Sequence, residues 1–66
     1  MMAKFMRAVG RIQRDVPGAD HIVQQMRSIM LAGEIDDVIA YLDNLNATDR
    51  VFRKPVIDIV FDEVYS

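Results

Sequence analysis

The stretch Gly33–Leu45, GEIDDVIAYLDNL, places Ile35, Val38, Ile39, Leu42 and Leu45 at i, i+3, i+4, i+7 and i+10. That spacing lines one face of a helix and does not fit the two-residue alternation of a strand. Asp36, Asp37, Ala40, Asp43 and Asn44 fall mostly on the opposite side. Glu34, Asp36 and Asp37 crowd the first turn, where the helix carries partial positive charge and each acid stabilises by ~0.3–1 kcal/mol. Period, propensity and charge agree, so this helix anchors the expected fold, and the other segments must supply faces that cover its apolar stripe.

The chain has 66 residues and no cysteine, and His21 is its single histidine. That length admits one domain, over residues 1–66. A domain this small buries only ~60% of the surface its unfolded chain exposes. Without disulfides, thiolate sites or a zinc ligand set, the remaining way to strengthen so small a fold is a partner. Apolar residues make up 52% of the chain, which leaves apolar material over once a small interior is filled. The expected fold is therefore all-α: a small bundle of about four short helices, packed orthogonally or as hairpins, and oligomeric.

Residues 1–14 read as the first helix, with Met2, Phe5, Met6, Val9 and Ile12 as its stripe and Lys4, Arg7, Arg11 and Arg14 on its flank. Gly10 is its weak point. The flank admits three uses: packing beside the acidic block at 34–49, contact with an anionic membrane surface, or phosphate binding. Asp15–Asp20, DVPGAD, is a turn, because proline presets one dihedral and glycine accepts positive φ. Asp20 suits an N-cap, and His21–Leu31 forms a second helix with Ile22, Val23, Met26, Ile29 and Met30 inward. Gly33 reads as the residue after its end. His21 has no serine, cysteine or ligand pattern around it and reads as a surface residue. The EIDD cluster is explained by the helix dipole without a cation.

Asn46 is expected to cap the next turn, with Asp49 three residues on. The final segment carries Val51, Phe52, Val56, Ile59, Val60 and Val64 at helical spacing, although VIDIVF is rich in strand formers. Pro55 breaks a helix interior but is tolerated in a first turn, so the segment reads as a short turn of helix followed by a fourth helix. Its charges run against the helix dipole, with Arg50, Arg53 and Lys54 near the start and Asp62 and Glu63 near the end. Ion pairs Asp49–Arg53 and Lys54–Asp58 would offset part of this. Val38-Ile39, Leu42 and Leu45, then Asp49 and Arg53, then Val56, Ile59 and Val60 give the segment 35–64 a pattern that resembles a HEAT-type helical hairpin. The resemblance covers under half the chain, Pro55 departs from it, and no second copy of the unit follows. It implies a hairpin of helices and no activity.

No nucleophile elbow, glycine-rich phosphate loop, zinc signature or paired His/carboxylate set occurs in the chain. The expectation is a non-enzymatic interaction module without a cofactor: an adaptor, inhibitor or regulatory subunit that binds through an apolar face with charged rims. The methionines at Met1, Met2, Met6 and Met30 suit adaptable contacts. Homodimerisation is expected through Phe52, Val56, Ile57, Val60, Phe61 and Val64, since these wrap the fourth helix more widely than one neighbour can cover. An antiparallel pair would set Arg50, Arg53 and Lys54 against the acids of the other copy. The alternative is nucleic-acid binding through Lys4, Arg7, Arg11, Arg14, Arg50, Arg53 and Lys54, weakened by a net charge of −2. No apolar run reaches membrane-span length and the start lacks a secretory-signal pattern, so the expected location is cytoplasmic.

Overall fold

A computed structural model describes residues 1–66. It contains four α-helices and no strand: α1 (Met2–Asp15), α2 (Asp20–Ala32), α3 (Ile35–Asp43) and α4 (Arg53–Val64). A single 3₁₀ turn, Arg50–Phe52, leads into α4. The helix expected over the strand-prone VIDIVF run is present, and Pro55 sits in its first turn, where a missing N–H breaks no hydrogen bond.

Each helix contributes a stripe to one core of 19 buried residues, all apolar. Helix α1 supplies Phe5, Ala8, Val9 and Ile12, at i, i+3, i+4 and i+7. Met2 and Met6, expected on that stripe, lie one step off it and stay exposed, and the small Ala8 takes the inward position. Helix α2 turns Ile22, Val23, Met26 and Met30 inward, and α3 turns in Ile35, Val38 and Leu42. Helix α3 is shorter than its pattern: it stops at Asp43, and Leu45 reaches the core from the following loop.

Helix α4 is buried along Val56, Ile57, Ile59, Val60 and Val64, a wide band that packs chiefly on α1 and less on α3. The tight α3–α4 hairpin suggested by the sequence is thus replaced by an α1–α4 pairing. Lys4 Nζ donates to the Ser66 carbonyl at 3.4 Å and Arg11 donates to Asp62 at 2.6 Å, so the contacts run in opposite order along the two helices. The radius of gyration is 10.5 Å. A folded domain of this length is expected near ~11 Å, so one chain closes its own core.

The connections follow local chemistry. Val16–Ala19 joins α1 to α2 as expected, and Gly18 takes φ +90°, open to glycine and strained for other residues. The Phe52 ring lies against Gly18, 3.4 Å from where a Cβ would sit, which ties this turn to the 3₁₀ turn. Asp20 is not the cap of α2. Ala19 holds that place, buried, and Asp20 is the first helical residue, where its charge still suits the dipole. Gly33 does end α2, its N–H bonded to the Ile29 carbonyl at 2.8 Å, but with a negative φ. Its small size is used instead: a Cβ here would run into the Asp37 carboxylate, which accepts the Glu34 backbone N–H at 2.9 Å. Glu34 and Asp37 thereby start α3.

Candidate functional site

Four of the six residues expected to pair two copies through α4 belong to the chain's own core. Val56, Ile57, Val60 and Val64 are buried against the other helices. Phe52 is half-buried, packed on the core and edge-on to His21. Only Phe61 stays on the surface, where its ring meets Tyr65 edge-on at 5.5 Å. The breadth of the apolar band on α4 is taken up by α1, α3 and the preceding turn, which leaves little for a second copy.

The basic residues do not form one patch. Arg11 is bound by Asp62 at 2.6 Å and lies 3.9 Å from Glu63. Arg53 reaches Asp43 of α3 at 2.6 Å, and Lys54 pairs with Asp58 at 2.8 Å. Arg14 grips its neighbour Asp15 through two hydrogen bonds of 2.9 and 3.1 Å, which hold the Asp15 carboxyl below its ordinary pKa. With Lys4 on the Ser66 carbonyl, only Arg7 and Arg50 of the seven lack a partner. The expected Asp49–Arg53 pair is absent, because Arg53 turns to Asp43 and Asp49 is engaged by His21. The expected pairing of α1's basic edge with the acids of 34–49 is likewise replaced by the pairing of Arg11 with the end of α4.

His21 is more than a surface residue. Its Nε2 lies 2.8 Å from Asp49 Oδ1, so the pair joins the start of α2 to the loop before α4. Asn46 Oδ1 accepts the Asp49 backbone N–H at 2.9 Å, the turn expected from the sequence. Tyr41 is half-buried nearby, and burial pushes its hydroxyl above the ordinary pKa of 10.0, with the Asp49 charge adding to the effect. This constellation fastens the fold. No group of three or more histidines, cysteines or carboxylates converges as a metal site.

Val51, expected on the α4 stripe, is exposed in the 3₁₀ turn, and a further set of exposed apolar side chains lies at the other end. Met2 and Met6 stand one turn apart on α1, 43% and 41% exposed, and Leu31 near the end of α2 is 80% exposed. Together with Phe5, Met30 and Arg27 they line one shallow cleft of about 80 Å3. A larger open cleft of about 390 Å3 adjoins it, lined by Met1, Met30, Gly33, Glu34, Ile35 and Asp36. Met30 forms a wall of both. Helix α2 stops at Gly33 and α3 begins directly after it, so Glu34 and Asp36 line the larger cleft and Arg27 the smaller one.

The four methionines that the sequence offers for adaptable contacts all line this end. Leu31 is not among the residues the sequence pattern singles out. A signal for it exists: it is the one large aliphatic residue of α2 that falls off the Ile22–Val23–Met26–Ile29–Met30 stripe.

The chain matches no protein-family model, no curated protein and no solved structure. No helix is long and apolar enough to cross a membrane.

Proposed function

We propose that this chain is a non-enzymatic helical interaction module, an adaptor, inhibitor or regulatory subunit, which binds a protein partner through the end formed by Met2, Met6, Met30 and Leu31. One observation carries the reading: Leu31 is 80% exposed and shares a cleft with two exposed methionines, whereas Val51, 73% exposed in the 3₁₀ turn, borders neither cleft. Leaving a leucine of this kind in water forgoes ~1.5–3 kcal/mol of burial, which a partner surface would recover. Methionine side chains are unbranched and polarizable and adapt to the shape they meet. The charges around the two clefts supply the polar rim that surrounds the apolar centre of protein interfaces.

The test is site-specific photo-crosslinking in the native host. A photoreactive phenylalanine analogue replaces Leu31 in one variant and Asp58, an exposed residue of α4, in another. The expected result is a discrete adduct from position 31 and none from position 58. Equal yields from both positions, or no adduct from either, would overturn the reading.

A further inference from the structure

We infer that the partner at the methionine end is a second copy of this chain, related to the first by a two-fold axis close to Met30 and Leu31. This rests on the reading above and names its occupant. The argument comes from charge. Arg27 flanks the smaller cleft, and Glu34 and Asp36 flank the larger one, with Met30 between them. None of the three side chains enters an ion pair within the chain, although five ion pairs tie down charges elsewhere.

Arg27 and Asp36, of opposite sign and without an ion-pair partner in the chain, line the two clefts that share Met30, an arrangement that can be self-complementary, while Glu34 is held by the start of α3. A two-fold rotation about that axis carries Arg27 of one copy onto the Glu34–Asp36 side of the other, and the reverse contact forms at the same time. Leu31, Met2 and Met6 of the two copies then meet at the centre. Occupants of a single charge sign fit less well. An anionic membrane or a nucleic acid is drawn to Arg27 but meets two carboxylates in the adjoining cleft, and a basic peptide meets the opposite conflict. The face first suggested by the sequence, on α4, is filled by the chain's own core and does not compete.

Sedimentation equilibrium up to ~200 µM detects even a weak pair, since micromolar affinities fall well inside that range. Wild type is expected to dimerise. Arg27→Glu faces Glu34 and Asp36 with a third acid and weakens the dimer by on the order of ten-fold or more, and Asp36→Arg sets a cation beside Glu34 against Arg27 and weakens it by less. An equimolar mixture of the two variants re-forms both opposite-sign contacts and recovers wild-type affinity to within about three-fold. Misfolding of either variant cannot produce that recovery, and thermal melts confirm that each is folded. A wild type that stays monomeric over the whole range, or a mixture that fails to recover, overturns the inference. If the Leu31 photo-adduct then contains a different protein, the interaction reading stands and only the second copy falls. If there is no adduct at Leu31, both fail.

Discussion

Arg11 of α1 donates a hydrogen bond to Asp62 of α4 at 2.6 Å, across 51 residues of sequence. The acids at the end of α4 oppose its own dipole, and this contact is what they gain. The reversed acids Asp62 and Glu63 are therefore partnered within the chain, while Arg50 at the start is not. Asp62 is well exposed, so the pair belongs with surface ion pairs, which contribute ~0.2–1 kcal/mol. A double-mutant cycle with Arg11→Met and Asp62→Asn is expected to return a coupling of that size, shrinking in ~1 M salt as screening shortens its reach. The single change Asp62→Asn is expected to come close to neutral, because it also removes an unfavourable dipole contact. A coupling of zero at low salt would show that the two side chains do not meet in solution.

Two glycines are expected to respond in opposite senses. Gly10 lies exposed in the middle of α1, with nothing within 4 Å of the place a Cβ would occupy. Gly10→Ala should raise stability by ~0.5–1 kcal/mol, the helix-propensity difference. Gly33→Ala pushes a methyl into the Asp37 carboxylate and displaces the group that starts α3. It should lower stability by ~1–2 kcal/mol, in the range of a removed helix cap. Chemical denaturation of the two variants beside wild type checks both signs.

What can be read from the sequence divides along a physical line. Helical periodicity is local, so the four helices, the Pro17-Gly18 turn and the Asn46 turn are legible within a few residues. The core stripes of α2 and α3 are also legible. Partner choice between helices is not local. Periodicity shows that α4 is apolar over a wide arc, but not that α1 covers most of it. Nor does sequence spacing select among several acids for one base: Arg53 has Asp49 four residues away and takes Asp43 instead, and His21 takes Asp49. The candidate site is obscured for the same reason. Met2 and Met6 share a helix face with Phe5 and Val9 at low angular resolution, and only the packed structure separates inward from outward.

Tyr41 supplies a prediction in alkali. Burial, then the nearby Asp49 charge, raises its folded pKa above the ordinary 10.0. A raised folded pKa means that the folded state holds the proton more tightly than the unfolded chain. The associated stability is complete below the unfolded pKa and is lost as pH rises through the folded one. Wild-type melting temperature should therefore fall above pH 10.0 more steeply than that of Tyr41→Phe, which has no phenol to ionise. Parallel curves for the two proteins between neutral pH and strong alkali would show that the hydroxyl is freely solvated.

Ile57 and Phe61 sit one turn apart on α4, and the sequence pattern assigns both to a surface between copies. The structure separates them: Ile57 is 7% exposed and Phe61 45%. Truncating a buried isoleucine removes its transfer free energy and leaves a cavity, at ~2–5 kcal/mol, comparable to the whole stability of a small domain. Ile57→Ala should therefore melt far below wild type at every protein concentration, because the packing it disrupts lies within one chain. Phe61 keeps nearly half its surface in water and adds an edge-on contact with Tyr65, a kind of pairing that contributes ~0.5–1.5 kcal/mol. Phe61→Ala should cost clearly less than Ile57→Ala and leave the association state unchanged. Thermal melts at two protein concentrations, with sedimentation of each variant, decide the matter. If Phe61→Ala dissociates the protein while Ile57→Ala leaves its fold intact, α4 would be the pairing helix after all, and the methionine end would lose its claim.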